Sequence, residues 1–317
     1  MNKLFYTTLI AMIIMLNACA TSYYYNLPPK EFKDIDYTFE VEYQKVRNIN
    51  IAYIDEGKSD NVILLIHGLG TSAKSWMKNI PSLSKDFRVI AIDLPGYGKS
   101  DKGNYKYSMS WYATVLTEFL DELNIEKATF VGHSMGGQIS IVTSLNYPNK
   151  VDKLVLISPA GFEKFTDGEG DWMKSAFTID LVKDTPTRNI DINLKSNFYE
   201  MPDDADFFVT DRIQVKGATD FEDYCYAVTR NVTGMIDEPV LKELKNISHK
   251  TLILFGNNDG LIPNIYLHGG FTEDIANIGN SLIPNSSLVL VPECGHMLQF
   301  EKSEVANKEI INFINNN

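Results

Sequence analysis

The sequence predicts an α/β fold: a doubly wound, mostly parallel sheet with an inserted helical cap. Three observations predict it. Six apolar runs, at residues 62–66, 89–92, 129–131, 154–157, 252–255 and 288–291, do not alternate with polar residues. Such runs belong to strands buried on both faces, as in a parallel sheet covered by helices. Helical stretches fall between the runs, and an alternation of strand and helix implies a doubly wound sheet. One stretch, 161–245, breaks the rhythm. It has no buried strand run, and it is rich in acids and aromatics, among them Trp172, Phe177, Phe198, Tyr199, Phe207, Phe208, Tyr224 and Tyr226. Lying between two core strands, it must leave the sheet and return, and its aromatic density points to an ordered helical cap rather than a disordered insertion.

In chain order, residues 1–18 read as a signal peptide. Lys3 supplies the positive region, 9–16 the apolar one, and Asn17-Ala18-Cys19 closes it; the apolar run is too short for a membrane span. Leu16-Asn17-Ala18-Cys19 resembles the lipobox of bacterial lipoproteins. That resemblance implies cleavage before Cys19, lipid on Cys19, and a place in the bacterial cell envelope. Ala20 is not the aspartate of inner-membrane retention, which favours the outer membrane. Residues 19–35, polar and Tyr-rich with Pro28-Pro29, read as a lipidated tether. The first part of the core then spans 36–160. Residues 39–43 and 49–53 have strand character with Arg47-Asn48 as a turn, an edge hairpin. A helix starts after Ser108, a good N-cap, with Tyr112, Leu116, Phe119 and Leu123 at helical spacing. The cap follows at 161–245 and the second part of the core at 246–317, closing in a helix over 302–315 that carries Val305, Ile310, Phe313 and Ile314.

Composition bounds the function. The chain has 317 residues, 44% of them hydrophobic, enough for one large domain with an insertion. Its formal charge is −12. Loss of 1–18 removes only the single positive charge of Lys3 and leaves −13. An acidic chain argues against nucleic acid and against electrostatic docking on anionic lipid, so membrane attachment would rest on the acyl anchor at Cys19. Cys225 and Cys294 make no disulfide framework and read as buried thiols. No C-x-x-C and no clustered histidines suggest a metal, and no cofactor is expected.

Gly132-His133-Ser134-Met135-Gly136 reads G-x-S-x-G between an apolar strand run and a helix-like run. That context makes it a candidate nucleophile elbow, with Ser134 lifted clear of the sheet on a turn so tight that its neighbours must be small. A serine hydroxyl needs a base, and the base an orienting acid, in the chain order Ser, Asp or Glu, His. Of five histidines, His296 follows the last strand run, in a loop at the carboxyl ends of the strands, where open α/β sheets place their chemistry. Asp259 follows the run at 252–255 and is the expected acid; Asp274 and Glu293 are less suitably placed. The oxyanion of acyl transfer needs preorganised donors. The N–H of Met135 is one, and the N–H of Leu69, within His67-Gly68-Leu69-Gly70, is the second.

These motifs, with Asp93-Leu94-Pro95-Gly96-Tyr97-Gly98-Lys99-Ser100, Asp259 with Pro263, and Gly295-His296, resemble the α/β-hydrolase superfamily over 36–317. Within it the chain is similar to serine esterases and lipases resembling meta-cleavage-product hydrolases, and to proline-iminopeptidase-like enzymes. Haloalkane dehalogenases and epoxide hydrolases differ, carrying an aspartate where this chain has Ser134. Asp93 belongs to the family's Asp-x-Pro-Gly-x-Gly turn and reads as structural. The resemblance implies a lipid-anchored, secreted serine hydrolase of carboxylic esters. The alternatives are a C–C bond hydrolase, a peptidase, and a binding lipoprotein on a hydrolase fold. Trp76, Leu261 and Met297, with Met135, are expected to line an apolar pocket suited to a small-molecule ester with an apolar acyl or aryl group. Phe207 and Phe208 are expected to set acyl chain length.

Overall fold

The computed structural model describes residues 24–316. The signal peptide at 1–18 and the lipid-attachment residue Cys19 therefore lie outside the described residues. The strands are β1 (Glu42–Val46), β2 (Ile49–Glu56), β3 (Val62–Ile66), β4 (Arg88–Ile92), β5 (Ala128–His133), β6 (Val151–Ile157), β7 (Thr251–Gly256) and β8 (Ser286–Val291). They form one sheet in the order β1-β2-β4-β3-β5-β6-β7-β8. β1–β2 and β2–β4 pair antiparallel, and every other pair is parallel. The non-alternating apolar runs are these parallel strands: β5 and β7 are buried at every position. The edge hairpin is present but starts later, at Glu42. Its two-residue turn places Arg47 at φ 50° and Asn48 at φ 66°, the left-handed pair that matches the twist of a tight hairpin.

The helices are α1 (Ile80–Leu83), α2 (Met109–Glu122), α3 (Met135–Asn146), α4 (Asp167–Ala176), α5 (Ile179–Lys183), α6 (Thr187–Lys195), α7 (Phe207–Gln214), α8 (Phe221–Asp237), α9 (Thr272–Leu282), α10 (Leu298–Glu301) and α11 (Ser303–Asn316). The Ser108 hydroxyl caps α2 by accepting the Trp111 N–H. Between β6 and β7 the chain builds α4 to α8 and no strand among the described residues, which is the helical cap. Its first helix is closed by a capping box: the Thr166 hydroxyl accepts the Glu169 N–H, and the Glu169 carboxylate accepts the Thr166 N–H.

The described part of the expected tether is folded. The Tyr24 hydroxyl donates to Asp206 at 2.7 Å, and the Lys30 N–H donates to the Gln214 carbonyl at 3.1 Å. The Thr219 N–H and hydroxyl both donate to Glu31 at 2.9 Å. Phe32 is buried in the main core, tilted against Tyr224 at 5.4 Å, with the Lys102 ammonium 4.0 Å from its ring centre. Burial of these aromatics against the cap draws 24–35 into the folded body, so the body extends well upstream of residue 36.

Candidate active site

Ser134 stands between the end of β5 and the start of α3, at φ 53°, ψ −118°. A non-glycine residue reaches that region only when its surroundings impose it. Here the Ser134 N–H donates to the Ile157 carbonyl at 2.9 Å, and the Ser134 carbonyl accepts from Gly137 at 2.9 Å and Ala160 at 3.0 Å. Gly132 and Gly136 make the turn sterically possible. A Cβ on Gly136 would collide with the Ile66 carbonyl, and one on Gly132 with the Gly136 carbonyl. Gly136→Ala is therefore expected to shift β3 from α3 and leave little soluble protein. Far-ultraviolet circular dichroism and expression yield check this, and a normally folded variant would show that the approach can relax.

Asp259 and His296 come together from separate loops. Asp259 follows β7, and its Oδ1 accepts the N–H groups of Leu261 at 2.8 Å and Ile262 at 3.0 Å. Its Oδ2 lies 2.7 Å from Nδ1 of His296, which follows β8. Both side chains are almost fully buried. With Nδ1–H donating to the carboxylate, Nε2 is the nitrogen left to accept a proton. The two other acids considered, Asp274 and Glu293, are exposed on the first turn of α9 and the turn after β8.

His133, inside the elbow, is a residue that sequence reasoning left without a role. Its Nε2 lies 3.0 Å from the His296 carbonyl, and the two rings stack obliquely at 4.8 Å. Burial, reinforced by the nearby His296, pushes its pKa far below the ordinary histidine value. His133 is therefore neutral, its Nε2–H donates to the His296 backbone, and it braces that loop without adding charge beside the base. No sequence signal shows this, because the partners are 163 residues apart.

His67 and Asp93 brace the loops that follow β3 and β4. His67 Nε2 accepts the Leu94 N–H at 3.0 Å, and its Nδ1–H donates to the Gly68 carbonyl at 2.8 Å. Asp93 accepts from Ala73 N–H, Lys99 N–H and the Tyr37 hydroxyl at 2.7–2.8 Å. Its structural reading thus rests on three donors holding the loop after β4. Burial pushes the His67 pKa down to about 4. The unfolded imidazole binds a proton near pH 6.5, so this contribution to stability is full above 6.5 and is lost as pH falls toward 4. Between pH 7 and 5 the loss is about 2 kcal/mol, roughly 3 °C in Tm for a chain of this size. His67→Gln is expected to lower Tm at pH 7 and to flatten the pH dependence of Tm between 7 and 5 by that amount. A parallel pH profile would sink the assignment.

A cavity of about 1150 Å³ lies between sheet and cap, and Ser134, His296, Leu69, Leu261 and Met297 line it. Met135 is the first residue of α3, so its N–H has no partner within the helix. Two expectations about the lining need correction. Trp76 is fully buried in the main core, on a short helical turn (Ala73–Trp76) packed against β3 and β4, and does not reach the cavity. The Met135 side chain is likewise buried beneath the elbow. Phe207 and Phe208 stack on each other at 4.2 Å and pack with Phe198 and Phe300 beside the cavity, behind Met297. Neither lines the cavity itself. The cap wall is more polar than expected, with Glu163, Asp171, Lys174, Asp237 and Lys242 on it. Cys225 and Cys294 are both free and buried.

Residues 61–303 match the family described as alpha/beta hydrolase fold. The chain belongs to that family. Among related α/β hydrolases, a 2-hydroxy-6-oxononadienedioate/2-hydroxy-6-oxononatrienedioate hydrolase of Escherichia coli O81 (strain ED1a) is 30% identical over 278 residues, covering 84% of this chain and 92% of the relative. The crystal structure of a probable hydrolytic enzyme from Pseudomonas aeruginosa PAO1 superposes with a TM-score of 0.80 at 25% identity, over 90% of this chain and 98% of that one. A meta-cleavage product hydrolase from Pseudomonas fluorescens IP01 gives 0.70 at 27%, over 87% and 97%. These likenesses establish an α/β hydrolase with C–C hydrolases among its relatives. No helix among the described residues is long and apolar enough to cross a membrane.

Proposed function

We propose that the protein is a serine hydrolase of carboxylic esters with apolar acyl or aryl groups, exported by residues 1–18 and held in the cell envelope, at the outer membrane, by lipid on Cys19. In this reading His296 Nε2 takes the Ser134 proton as Oγ attacks the ester carbonyl. The N–H groups of Leu69 and Met135 hold the oxyanion. His296 then protonates the departing alcohol, and water, activated by the same imidazole, releases the acid. What carries the reading is the Asp259–His296 pair: a buried 2.7 Å bond whose carboxylate is fixed by two further N–H donors, on the cavity that Ser134 also lines.

A second reading, C–C bond hydrolysis, is favoured by the 30% identical relative, whose name specifies a dioate substrate. Lys174 and Lys242 on the cap wall could meet a carboxylate, although Lys174 is already paired with Asp171 and Asp237. The deciding experiment offers the full chain p-nitrophenyl esters from acetate to palmitate alongside a vinylogous 1,5-diketone acid. Ester turnover exceeding diketone turnover by tenfold or more in kcat/KM supports the first reading; the reverse order replaces it with the second. Export and anchoring are tested by fatty-acid labelling of the wild type and Cys19→Ala in cells. Label that persists in the variant would refute the anchor.

A further inference from the structure

The loop from β7 to α9 carries an unusual surface. Leu261 is 42% exposed, Ile265 58%, Tyr266 88% and Phe271 76%. Single exposed apolar residues need no explanation, but four on one eleven-residue segment form a patch, and patches mark contact surfaces. Residues 261–271 hold no Asp, Glu, Lys or Arg, in a chain whose formal charge is −12. The loop does not stand alone at the rim. Leu261 and Asn264 line the cavity. His268 fastens the loop to the start of the cap, one ring nitrogen 2.6 Å from Glu163 and the other 3.0 Å from Glu169.

The chain enters the fold beside the same rim. The Tyr24 ring lies 5.6 Å from the Lys195 ammonium at the end of α6. Two residues later Asn197 lines the cavity, and between them the Ser196 carbonyl backs onto Gly260 at the root of the loop. Cys19 is five residues upstream of Tyr24, a reach of roughly 17 Å fully extended. Lipid attached there would lie within that reach of Tyr24 and the end of α6.

We propose that loop 261–271 seats on a lipid surface, so that the cavity mouth at Leu261 faces the bilayer and receives acyl esters resident in it. Delivery of such esters rests on the ester-hydrolase reading; the seating itself does not. Attraction is apolar and aromatic, since an acidic chain gains nothing from anionic headgroups. Tyr266, amphipathic and the most exposed of the four, suits the headgroup boundary.

The test uses the full chain reconstituted in phosphatidylethanolamine–phosphatidylglycerol vesicles. Tyr266→Trp places a fluorophore on the loop, and vesicles with brominated acyl chains are expected to quench the added emission at least twofold relative to the wild type. Ile265→Asp combined with Phe271→Asp is expected to lower hydrolysis of a vesicle-borne long-chain ester at least tenfold while p-nitrophenyl butyrate turnover stays within twofold. Absent quenching overturns the proposal. So does equal loss on both esters, or a double variant that merely converts a dimer to a monomer, which would make the face a contact between copies. If the wild type hydrolyses neither ester, the function reading and ester delivery fail, while quenching still decides whether the loop meets lipid.

Discussion

Ser134→Ala is expected to lower kcat by at least about 10⁴-fold, with KM changed by no more than a few-fold and Tm within 2 °C of the wild type. Alanine at this position keeps the elbow. The strained backbone at φ 53° is held by bonds from the main chain to Ile157, Gly137 and Ala160, none of which uses the hydroxyl. Only the nucleophile is lost. Residual turnover would come from substrate held beside the oxyanion donors and attacked directly by water. Steady-state kinetics on p-nitrophenyl butyrate, with a fluorophosphonate label as a second readout, checks both parts: labelling should vanish with turnover. Activity within tenfold of the wild type would mean that the chemistry does not run through Ser134, and the placement of Asp259 and His296 would need another explanation.

How far the sequence could be read follows from what each residue's position depends on. β3, β5 and β7 were legible because burial on both faces writes itself into consecutive apolar residues, and that pattern is local. The candidate site was legible for a related reason. Ser134, Asp259 and His296 each follow a strand directly, and a parallel sheet brings the carboxyl ends of its strands together whatever lies between. Side-chain direction beyond the strands was not legible. Trp76 follows β3 as closely as Leu69 does in topological terms, yet its helical turn aims it into the core. Phe207 and Phe208 advertised a pocket by composition and instead fill a small second core with Phe198 and Phe300. Phe32 packs against Tyr224, nearly two hundred residues away. No local pattern encodes such a pairing. The acids of 161–245 were visible in the sequence, but which of them face the cavity was not, because that depends on how the cap helices sit over the sheet.

Asp259→Asn is expected to cost about 10⁴-fold in kcat near neutral pH, a loss comparable to that of Ser134→Ala but of different origin. The carboxylate accepts three bonds: Leu261 N–H and Ile262 N–H on Oδ1, and the imidazole on Oδ2. An asparagine offers one acceptor oxygen and one donor NH₂. If the oxygen stays with Leu261 and Ile262, the NH₂ faces His296, which must then present Nδ1 as an acceptor and carry its proton on Nε2. In that tautomer the imidazole cannot take the Ser134 proton. If the amide flips, the tautomer is correct, but the NH₂ confronts two backbone N–H groups in a buried site. Leaving such donors unpaired costs about 1–3 kcal/mol each. Either arrangement fails, one in rate and the other in stability, and a paired measurement separates them: kcat with unchanged Tm reports the wrong tautomer, lowered Tm with smaller loss of kcat the flipped amide. Glu293→Gln and Asp274→Asn alter exposed carboxylates away from the imidazole and are expected to stay within twofold of the wild type. A loss of 10³-fold or more in either, with Asp259→Asn near normal, would transfer the acid's role to that residue.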